Sequence, residues 1–434
     1  MSGTSPVYRA LAAVGVPLVP VASRGVRARA AHAARLAAPA AAERWARTHR
    51  DPSRPLAWFH ASSVGEGLQA LAVLDALRVA RPDLQIAYTH FSPSAEEFAA
   101  TVLADWNGYL CYDRRRDVDR MLATLSPQLL VFVKLDLWPE LAVRASSEGA
   151  RTAIVAATVS PASRRLRWPV RAMAKSGYRA LDLVAAGSAE DAARMIRLGA
   201  RAERVAVTGD PRIDSALDVI DATSVPDSLP PLGDPAMVLV AGSTWPGDEA
   251  VLLDAFATVR RAQPLARLVL APHQPTPPHL DRLAAETRER GFSQPTFLSA
   301  MDPASIAPIV IVDRVGVLAR LYRAGAMAYV GGGFGTAGIH SVLEPAAAAR
   351  PVVIGPRDRG SLDAGMLESA GALIRLDAAD PVAGLVATWS GWLSHPAEAR
   401  AAGAHARAVL DIERGAAART ATLLDELLRR PHDG

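Results

Sequence analysis

The sequence predicts an α/β protein with two domains, each built on a doubly wound parallel sheet. Short apolar runs rich in Val, Ile and Leu alternate along the chain with amphipathic segments of helical length. Nearly continuous apolar runs of this kind are typical of strands that helices cover on both faces. The length of 434 residues exceeds one ordinary hydrophobic core. Two domains of roughly 200 residues each are therefore expected.

The apolar runs form two series that predict the strands of the two sheets. The first series is 56–61, 84–91, 128–134, 151–159, 182–187 and 204–209, and the second is 236–242, 266–272, 308–313, 326–331, 351–354 and 371–376. Helical segments such as DEAVLLDAFATVRRAQ lie between the runs, and this alternation predicts parallel sheets. Between the series, residues 215–235 are rich in proline and have little periodicity. This stretch is interpreted as the linker.

The composition excludes several classes of protein. Half of the residues are apolar and 21% are charged, as in a globular protein rather than a disordered one. The single cysteine, Cys111, excludes a disulfide framework and a thiolate metal site. A chain with so few cysteines also suits a reducing cytosol. The net charge of +4 is too small to indicate nucleic-acid binding.

The N-terminal segment 1–50 combines an apolar run with basic residues. The run Ala10–Ala22 has 13 residues, whereas about 20 are needed to span a bilayer. Arginines follow at positions 24, 27, 29, 35, 44, 47 and 50, and only Glu43 opposes them. We expect this segment to rest on an anionic membrane surface. The alternative is a basic helix packed on its own domain.

The stretch WFHASSVGEG places one carboxylate, Glu66, directly after a predicted strand. Ser63 and Glu66 are three residues apart, which is the spacing of a helix capping box. The same carboxylate could instead be a catalytic base, because open α/β sheets bind ligands at the carboxyl ends of their strands. The local pattern leaves both interpretations open.

Five glycines between positions 331 and 338 follow another predicted strand and precede a predicted helix near Ser341. Glycines allow backbone N–H groups to approach an anion, and a helix N-terminus adds aligned donors. The stretch therefore predicts a phosphate or nucleotide site. Its spacing differs from the dinucleotide fingerprint, which disfavours a nicotinamide enzyme. Ser341 and Glu344 also have capping-box spacing, and capping is compatible with nucleotide binding.

Nine segments, in this order and spacing, resemble one known family. They are WFHASSVGEG, FSPSAEEF, YDRRRDVDRML, DLWPEL, GSAEDAARMIRLGA, VTGDPRID, AGSTWPGDE, VDRVGVLARLYRAGAMAYVGGGF and GIHSVLEPAAAARPVVIGP. The family is the 3-deoxy-D-manno-octulosonic acid (Kdo) transferases of lipid A biosynthesis, and the resemblance extends over almost the whole chain. It implies the GT-B fold, in which two Rossmann-like domains face a central cleft. Residues 51–214 would bind the acceptor and residues 236–434 the nucleotide-sugar donor, and the final helices can return to the first domain.

The resemblance also implies an activity. Members of this family transfer Kdo from CMP-Kdo, with inversion, to a lipid A precursor such as lipid IVA during lipopolysaccharide synthesis. The implied partners are a CMP-sugar donor, a lipid A precursor and an anionic membrane surface, without nucleic acid. Neither a metal ion nor another cofactor is expected. The implied location is the cytoplasmic face of the inner membrane, with peripheral or monotopic attachment.

By the same resemblance, Glu66 is the general base, and Asp136 and Arg212 stabilise the transition state and the phosphate. The implied nucleotide-binding residues are Pro272, His273, Val315, Gly316, Val317, Gly338, His340, Ser341, Val342, Leu343 and Glu344. Further candidates for substrate contacts are Ser63, Gly65, Lys134, Ser243 and Thr244.

Several residues depart from the family pattern. Lys134 stands where the family usually has a glutamate before LWP, Ser341 replaces an asparagine, and His273 stands where an arginine that reaches the phosphate is usual. These departures leave alternatives open. The chain could be another GT-B glycosyltransferase that uses a UDP-sugar, a sugar-nucleotide epimerase of the same architecture, or a relative that only binds glycolipid.

Overall fold

The computed structural model of the chain describes residues 3–22, 25–223, 229–230, 232–292, 295–302, 307–336 and 338–430, and for residues 17–22 it describes the backbone alone. The chain forms two compact units. Unit 1 comprises Met1–Ser215 and Gly415–Gly434, and unit 2 comprises Ala216–Arg414.

Unit 1 alternates strands and helices and begins with two helices. Its strands are β1 (Leu56–His60), β2 (Gln85–His90), β3 (Trp106–Tyr109), β4 (Leu129–Val133), β5 (Arg151–Ala157), β6 (Leu183–Ala186) and β7 (Val205–Val207). Its helices are α1 (Pro6–Ala22), α2 (Val26–His49), α3 (Val64–Ala80), α4 (Glu96–Thr101), α5 (Arg115–Leu125), α6 (Pro139–Ser147), α7 (Val170–Ala180), α8 (Ala189–Leu198) and, after unit 2 in the chain, α17 (Ala416–Arg429). Helix α9 (Pro211–Ala222) runs from unit 1 into unit 2.

The seven strands of unit 1 form one sheet in the order β3-β2-β1-β4-β5-β6-β7. All of its pairs are parallel, with Leu56 opposite Gln85 and Ala57 opposite Leu129 on the two sides of β1. Alternate residues of β1 enter different cores: Trp58 packs with residues of α5 and α6, whereas Phe59 packs with residues of α3 and α17. The sheet is therefore covered by helices on both faces, as its apolar strands predict.

Helices α1 and α2 are bound to unit 1 by long-range polar contacts. The hydroxyl of Tyr8 donates to Asp113 at 2.7 Å, and Arg9 pairs with the fully buried Glu140 at 2.7 Å. In α2, the guanidinium of Arg35 lies 3.9 Å from the ring centroid of Phe91. The N-terminal segment is thus packed on its own domain along at least one side.

Helix α17 follows unit 2 in the sequence but packs against the core of unit 1. The backbone N–H groups of Gly415 and Ala417 donate to the carboxylate of Asp214 at 2.5 and 2.7 Å, which caps the start of the helix. Leu424 and Leu427 of α17 are buried in the same core as Phe59. This helix therefore belongs to unit 1 although 199 residues of unit 2 precede it.

Unit 2 is a second parallel sheet of seven strands, in the order β10-β11-β9-β8-β12-β13-β14. The strands are β8 (Val238–Thr244), β9 (Arg267–Pro272), β10 (Thr296–Phe297), β11 (Ile309–Ile311), β12 (Met327–Val330), β13 (Val352–Ile354) and β14 (Leu373–Arg375). The helices are α10 (Pro246–Ala262), α11 (Pro277–Glu289), α12 (Leu318–Ala324), α13 (Leu343–Ala347), α14 (Leu362–Ser369), α15 (Pro381–Ser394) and α16 (Pro396–Glu413).

The two doubly wound parallel sheets confirm the predicted α/β class, but three details differ from prediction. Strands β3 and β10 were not predicted, because they are short edge strands without a continuous apolar run. Helix α9 continues to Ala222, so the predicted linker does not begin at residue 215. Residues 224–228 and 231 of that linker lie outside the described part of the chain, as does Arg24 of the basic N-terminal segment.

Candidate active site

Each sheet has one position at which the strand order reverses. In unit 1 this position lies between β1 and β4, and in unit 2 between β8 and β12. Open parallel sheets bind ligands outside the carboxyl ends of the strands at such switch points. At the carboxyl ends of these strands, or in the segments that follow them, lie Glu66 and Asp136 in unit 1, and Ser243 and the glycine loop, defined here as residues 331–341, in unit 2. Four loops separated in the sequence are thus brought to two ligand-binding edges.

Asp136 follows β4 and is the centre of a hydrogen-bonded cluster. His60, at the end of β1, places Nε2 2.9 Å from Asp136 Oδ2, and the indole of Trp138 donates to the same oxygen at 3.2 Å. The hydroxyl of Ser62 also donates to Oδ2. His60 is fully buried and its Nδ1 lies 3.0 Å from the hydroxyl of Thr89. The cluster therefore fixes the orientation of the Asp136 carboxylate and leaves its Oδ1 without a partner among the described residues.

The same contacts set the charge of Asp136. Burial alone raises the pKa of this carboxyl group, but hydrogen bonding to His60, the charge of His60 and the hydrogen bonds from Ser62 and Trp138 outweigh it. The result is a pKa of about 2, below the ordinary value of an aspartate. Asp136 thus carries a negative charge throughout the physiological range.

Glu66 lies in the first turn of α3 and takes part in a capping box. Its backbone N–H donates to Ser63 Oγ at 3.4 Å, and its Oε2 accepts from the backbone N–H of Ser63 at 3.1 Å. The capping interpretation is therefore correct for Oε2. Oε1 has no hydrogen-bond partner among the described residues, and the side chain is partly exposed. The box holds the carboxylate in place while one oxygen remains available to a ligand.

Lys134 is exposed at the carboxyl end of β4, next to the Asp136 cluster. Its φ of 60° is in the left-handed region, which a lysine rarely adopts. Its backbone N–H donates to Val155 O at 2.8 Å, so the strained conformation is fixed by the neighbouring strand. Strain of this kind concentrates at functional sites. Gly65 is another exposed candidate of this edge, and a Cβ placed on it would meet no atom within 4 Å.

Three aromatic rings stack at the switch point of unit 2. Trp245 follows β8, His273 follows β9 and His340 lies in the glycine loop. The ring centroids are 4.9 Å apart for Trp245 and His273, and 4.2 Å apart for His273 and His340. The indole N–H of Trp245 donates to His340 Nε2 at 3.0 Å. Two of the three residues, His273 and His340, are among the nucleotide-binding residues that the sequence resemblance implies. Their contact with each other is visible only in the structure.

His340 is held in its neutral form. Burial lowers the pKa of its imidazole, the charge of His273 lowers it further, and the value falls to about 4. Burial also lowers the pKa of His273. Because Nε2 of His340 accepts from Trp245, the proton of the neutral ring is on Nδ1. Nδ1–H is therefore a donor on the edge of the ring opposite Trp245.

The glycine loop uses its first glycines for packing. A Cβ at Gly331 would lie 2.3 Å from Ser243 O, and one at Gly333 would lie 2.5 Å from the Cα of Gly355. The N–H of Gly331 donates to Gly242 O, and that of Gly332 donates to the buried carboxylate of Asp248 at 2.9 Å. These two N–H groups are thus unavailable to an anion. A phosphate would have to be bound by later residues of the loop.

The helix after the glycine loop begins close to its predicted position, but it lacks a side-chain cap. It begins at Leu343, its N-cap is Val342, and no side chain caps it. Ser341 Oγ accepts from the N–H of Leu343 at 3.3 Å instead, so the capping box that the Ser341–Glu344 spacing allows does not form. The helix has five residues. Such a short helix has little macrodipole, and the helix-terminus contribution to phosphate binding falls away.

The carboxyl group of Glu344 is partly buried and has no hydrogen-bond partner among the described residues. Burial raises its pKa above the ordinary value of a glutamate. Buried carboxylates without partners are uncommon in folded proteins. Glu344 thus has acceptor oxygens available for a ligand at the edge formed by the glycine loop.

The other predicted residues fall into distinct groups. Pro272, Val317, Gly338, Val342 and Leu343 are buried, whereas Val315 and Gly316 are exposed. Ser243 has a φ of 55° at the end of β8, and the buried hydroxyl of Thr244 donates to Glu249 at 2.9 Å. Thr244 therefore supports the fold of this edge rather than presenting its hydroxyl to a ligand. Arg212 belongs to unit 1, where its Nε donates to Asp210 at 2.9 Å.

Sequence reasoning missed several residues of these edges. In unit 1 they are the partners of Asp136, namely His60, Ser62 and Trp138. In unit 2 they are Trp245, Asp248, which accepts from the N–H of Gly332, and Arg359. The Cγ of Arg359 lies 3.1 Å from a Cβ placed on Gly338. A buried histidine at the end of an apolar run was the available signal for His60. For Arg359 the available signal was its position in the segment that follows β13.

The described residues contain neither a metal-ion cluster nor a membrane-spanning helix. No group of three or more His, Cys, Asp or Glu side chains in this part of the chain is arranged to hold a metal ion. Among the described helices, none combines the length and the apolar character needed to cross a membrane.

Comparisons with known proteins identify the relatives of this chain. Residues 39–215 match the family model for 3-deoxy-D-manno-octulosonic-acid transferase (kdotransferase). The chain is 29% identical over 383 residues to a 3-deoxy-D-manno-octulosonic acid transferase of Bordetella pertussis, covering 86% of this chain and 87% of the relative. It is 28% identical over 359 residues to the transferase of Chlamydophila psittaci, covering 79% and 78%.

Among solved structures, UDP-GlcNAc 2-epimerase from Neisseria meningitidis superposes with a TM-score of 0.60 at 12% identity, over 86% of this chain and 98% of that one. At this identity the likeness shows the fold alone. Together with the two parallel sheets, it defines a two-domain, Rossmann-like protein of the GT-B class. Within that class, the family-model match over residues 39–215 and the transferases above show that the chain is similar to Kdo transferases, which are glycosyltransferases.

Proposed function

We propose that this chain transfers Kdo from CMP-Kdo to a sugar hydroxyl of a lipid A precursor, with inversion at the anomeric carbon. The observation that carries the proposal is that one turn, after β1, binds two carboxylates. Ser62 donates to Asp136 and Ser63 bonds to Glu66. Consecutive residues at the switch point of unit 1 thus hold both carboxylates, and each carboxylate retains an oxygen without a partner among the described residues.

In the proposed reaction, Glu66 Oε1 takes the proton of the attacking hydroxyl as the new C–O bond forms. The bond between the anomeric carbon and the phosphate oxygen breaks, and its electron pair leaves with CMP. A positioned carboxylate base contributes about 10²–10⁴-fold to such a step. Asp136 remains ionised because of its low pKa and therefore steadies the positive charge that develops on the donor sugar.

The donor nucleotide is assigned to unit 2. Neutral His340 offers Nδ1–H as a donor, Glu344 offers acceptor oxygens to ribose hydroxyls, and the stacked rings offer an apolar face to the base. Arg359 lies beside Gly338 and supplies a cation for the phosphate or the sugar carboxylate. This arginine offsets the departure at His273, where the family usually has an arginine.

The assay that tests the proposal uses the full chain, CMP-Kdo and lipid IVA, with product detected by mass. The expected result is an acceptor heavier by one Kdo residue or by whole multiples of it, together with release of CMP. A matched reaction with a UDP-sugar should give no product, and CMP but not UDP should raise the melting temperature. Release of free sugar without any acceptor product would instead favour a hydrolase or an epimerase and overturn the proposal.

We also propose that unit 1 docks on the cytoplasmic face of an anionic membrane, as a peripheral or monotopic protein. Val7, Leu11 and Val14 of α1 are 60%, 58% and 63% exposed. Their i, i+4, i+7 spacing places them on one face of the helix. Tyr8 and Arg9 bind unit 1 through another face of the same helix. Both interpretations of the N-terminal segment, packing and membrane contact, are therefore compatible.

A second exposed element supports the docking surface. Trp168 is 80% exposed and is flanked by the exposed arginines Arg164, Arg167 and Arg171. Tryptophan prefers the membrane interface, and arginines are attracted to anionic lipid headgroups.

A groove of about 440 Å3 runs between α1 and α7 and is lined by Leu11, Trp138 and Met173, among others. Its apolar walls suit an acyl chain.

Binding to vesicles tests the docking proposal. Vesicles that contain anionic lipid should bind the protein at low salt and release it at high salt, since exposed charges are screened. Leu11→Glu should lower the bound fraction strongly. The matched control is Val79→Glu, which changes an 86% exposed residue near the end of α3 and should have no effect. Equal binding by both variants would contradict the assignment of this surface.

A further inference from the structure

A large cavity of unit 1 lies away from the edge that carries Glu66 and Asp136. Its volume is about 750 Å3, and α6 and α7 supply most of its walls. Ser146 lies near the end of α6, and Ala180 and Arg201 precede β6 and β7. The cavity is therefore on the side of the amino ends of the strands. The seven residues of β5 span about 20 Å of sheet between the two edges.

The lining of the cavity is basic and rich in hydroxyl groups. Lys175, Arg179 and Arg201 supply three cations, and the described lining residues include serines but no acidic residue. Of these three cations, Arg201 pairs with a carboxylate, since its Nη2 lies 3.6 Å from Asp182 Oδ1. Neither Lys175 nor Arg179 forms an ion pair within the described part of the chain. Like charges brought together in this way favour an anionic ligand.

Two buried polar atoms of the lining residues have no hydrogen-bond partner among the described residues. They are the hydroxyl oxygen of Ser176 and Nε of Arg201. Native proteins rarely leave such atoms unpaired, and exceptions call for a ligand or a water molecule. Both atoms can donate a hydrogen bond, so an acceptor-rich group would satisfy both.

Lys175 is held in position by close packing. A Cβ at Gly199 would lie 2.7 Å from Lys175 Cγ, and the φ of Gly199 is +122°. The aliphatic stem of Lys175 thus lies directly on the backbone that ends α8. Lys175 is one of only two lysines in a chain with 48 basic residues. The contact limits the freedom of the side chain, so less entropy is lost when its ammonium binds a ligand.

We infer that this cavity binds a phosphate-bearing ligand, distinct from the donor and acceptor of the transfer reaction. Phosphate oxygens are acceptors, and this lining offers cations and donors. Lys175 and Arg179 bind the phosphate oxygens, and Ser176 and Arg201 complete the set of hydrogen bonds. Charge-assisted bonds of this type are the strong ones.

Calorimetric titration of the full chain with inorganic phosphate and with sn-glycerol 3-phosphate tests the inference. Lys175→Ala and Arg179→Ala should each weaken binding at least ~10-fold, the effect of losing one hydrogen bond to a charged group. The matched control is Arg197→Ala, which removes an exposed cation of α8 outside the lining. Ser176→Ala should weaken binding while preserving the melting temperature. Equal affinities in the three charge variants, or no binding by the unaltered chain, would overturn the inference.

Two further arms identify the site and the source of the phosphate. Excess CMP should not displace glycerol phosphate, because the nucleotide is assigned to unit 2; displacement would place the binding at the donor site and refute the cavity. Vesicles of phosphatidic acid should be compared with phosphatidylcholine vesicles, using Lys175→Ala in both. Loss of phosphatidic acid binding in the variant assigns the cavity to a lipid headgroup. An unchanged vesicle affinity, with weakened glycerol phosphate binding, assigns it to a soluble ligand.

Discussion

The Ser-x-x-Glu spacing occurs at both ligand-binding edges, and the two copies have different structures. Ser63 and Glu66 form a complete capping box at the start of α3. Ser341 and Glu344 form none, and α13 begins two residues after the serine. The first glutamate is therefore fixed by its own helix. The second is partly buried and has no hydrogen-bond partner among the described residues.

The difference arises from the residue that follows the second glutamate. An N-cap residue accepts the first helical hydrogen bond on its C=O, from the N–H four residues later. Gly67 donates to Ser63 O at 2.8 Å, which closes the first turn of α3. The corresponding residue for Ser341 is Pro345, which has no N–H. Val342 becomes the cap instead, and Ala346 donates to its C=O at 3.3 Å.

This comparison shows that the same spacing can serve different purposes. Where the box closes, the glutamate is oriented rigidly and is suited to proton transfer in a fixed geometry. Where proline prevents the box, the glutamate keeps its acceptor oxygens for a ligand. Substitutions of the two serines and the two glutamates should separate these roles.

The largest effect is expected from Glu66→Gln. Glutamine can still accept the hydrogen bond from the N–H of Ser63, so the melting temperature and CMP binding should remain unchanged. Transfer should fall by at least ~10²-fold, because an amide cannot act as the base. Turnover with CMP-Kdo and lipid IVA, measured beside thermal unfolding, gives both quantities. A variant that melts early but turns over normally would show that Glu66 is only a cap.

Glu344→Gln should act on affinity instead. The loss of a charged acceptor for ribose hydroxyls should weaken CMP binding by about tenfold or more. The melting temperature without CMP should stay the same or rise, because a partly buried carboxylate without a partner among the described residues is replaced by a neutral amide. Calorimetric titration with CMP measures the change. Unaltered CMP affinity would remove Glu344 from the nucleotide site.

The two serines should differ in their contribution to stability. Ser63→Ala removes a cap, and the free energy of unfolding should fall by about 0.5–2 kcal/mol. Ser341→Ala removes no cap, so the change should stay within about 0.5 kcal/mol. Chemical denaturation of both variants measures the contrast. Equal losses in the two variants would mean that the closed box contributes nothing specific.

The smallest effect is a dependence of CMP affinity on pH. Burial raises the pKa of Glu344, so this group takes up its proton at a higher pH than an ordinary glutamate. Because ribose hydroxyls need the ionised acceptor, CMP affinity should decline as pH falls through the raised pKa. Protonation also relieves the cost of burying the charge, so this group destabilises the fold less at low pH. Titrations of CMP at several pH values should show a decline that Glu344→Gln lacks.

Local sequence patterns predicted most of the fold, and the failures have physical causes. The buried strands were visible as apolar runs, whereas β3 and β10 contain only four and two residues at sheet edges. The site was harder to predict, because strand order is a non-local property. Trp245, His273 and His340 come from three separate loops, and only the order β9-β8-β12 brings them together. His60 reaches Asp136 for the same reason, across the pair β1-β4.

The return of α17 to unit 1 has a consequence for biosynthesis. A ribosome completes all of unit 2 before it adds Leu424 and Leu427, which fill the core beside Phe59. At about 5–20 residues per second, unit 1 waits on the order of ten seconds or more for this helix. During that interval unit 2 has its whole sequence available, while the apolar surface under α17 stays open to chaperones. The domain translated first is thus the one that matures last.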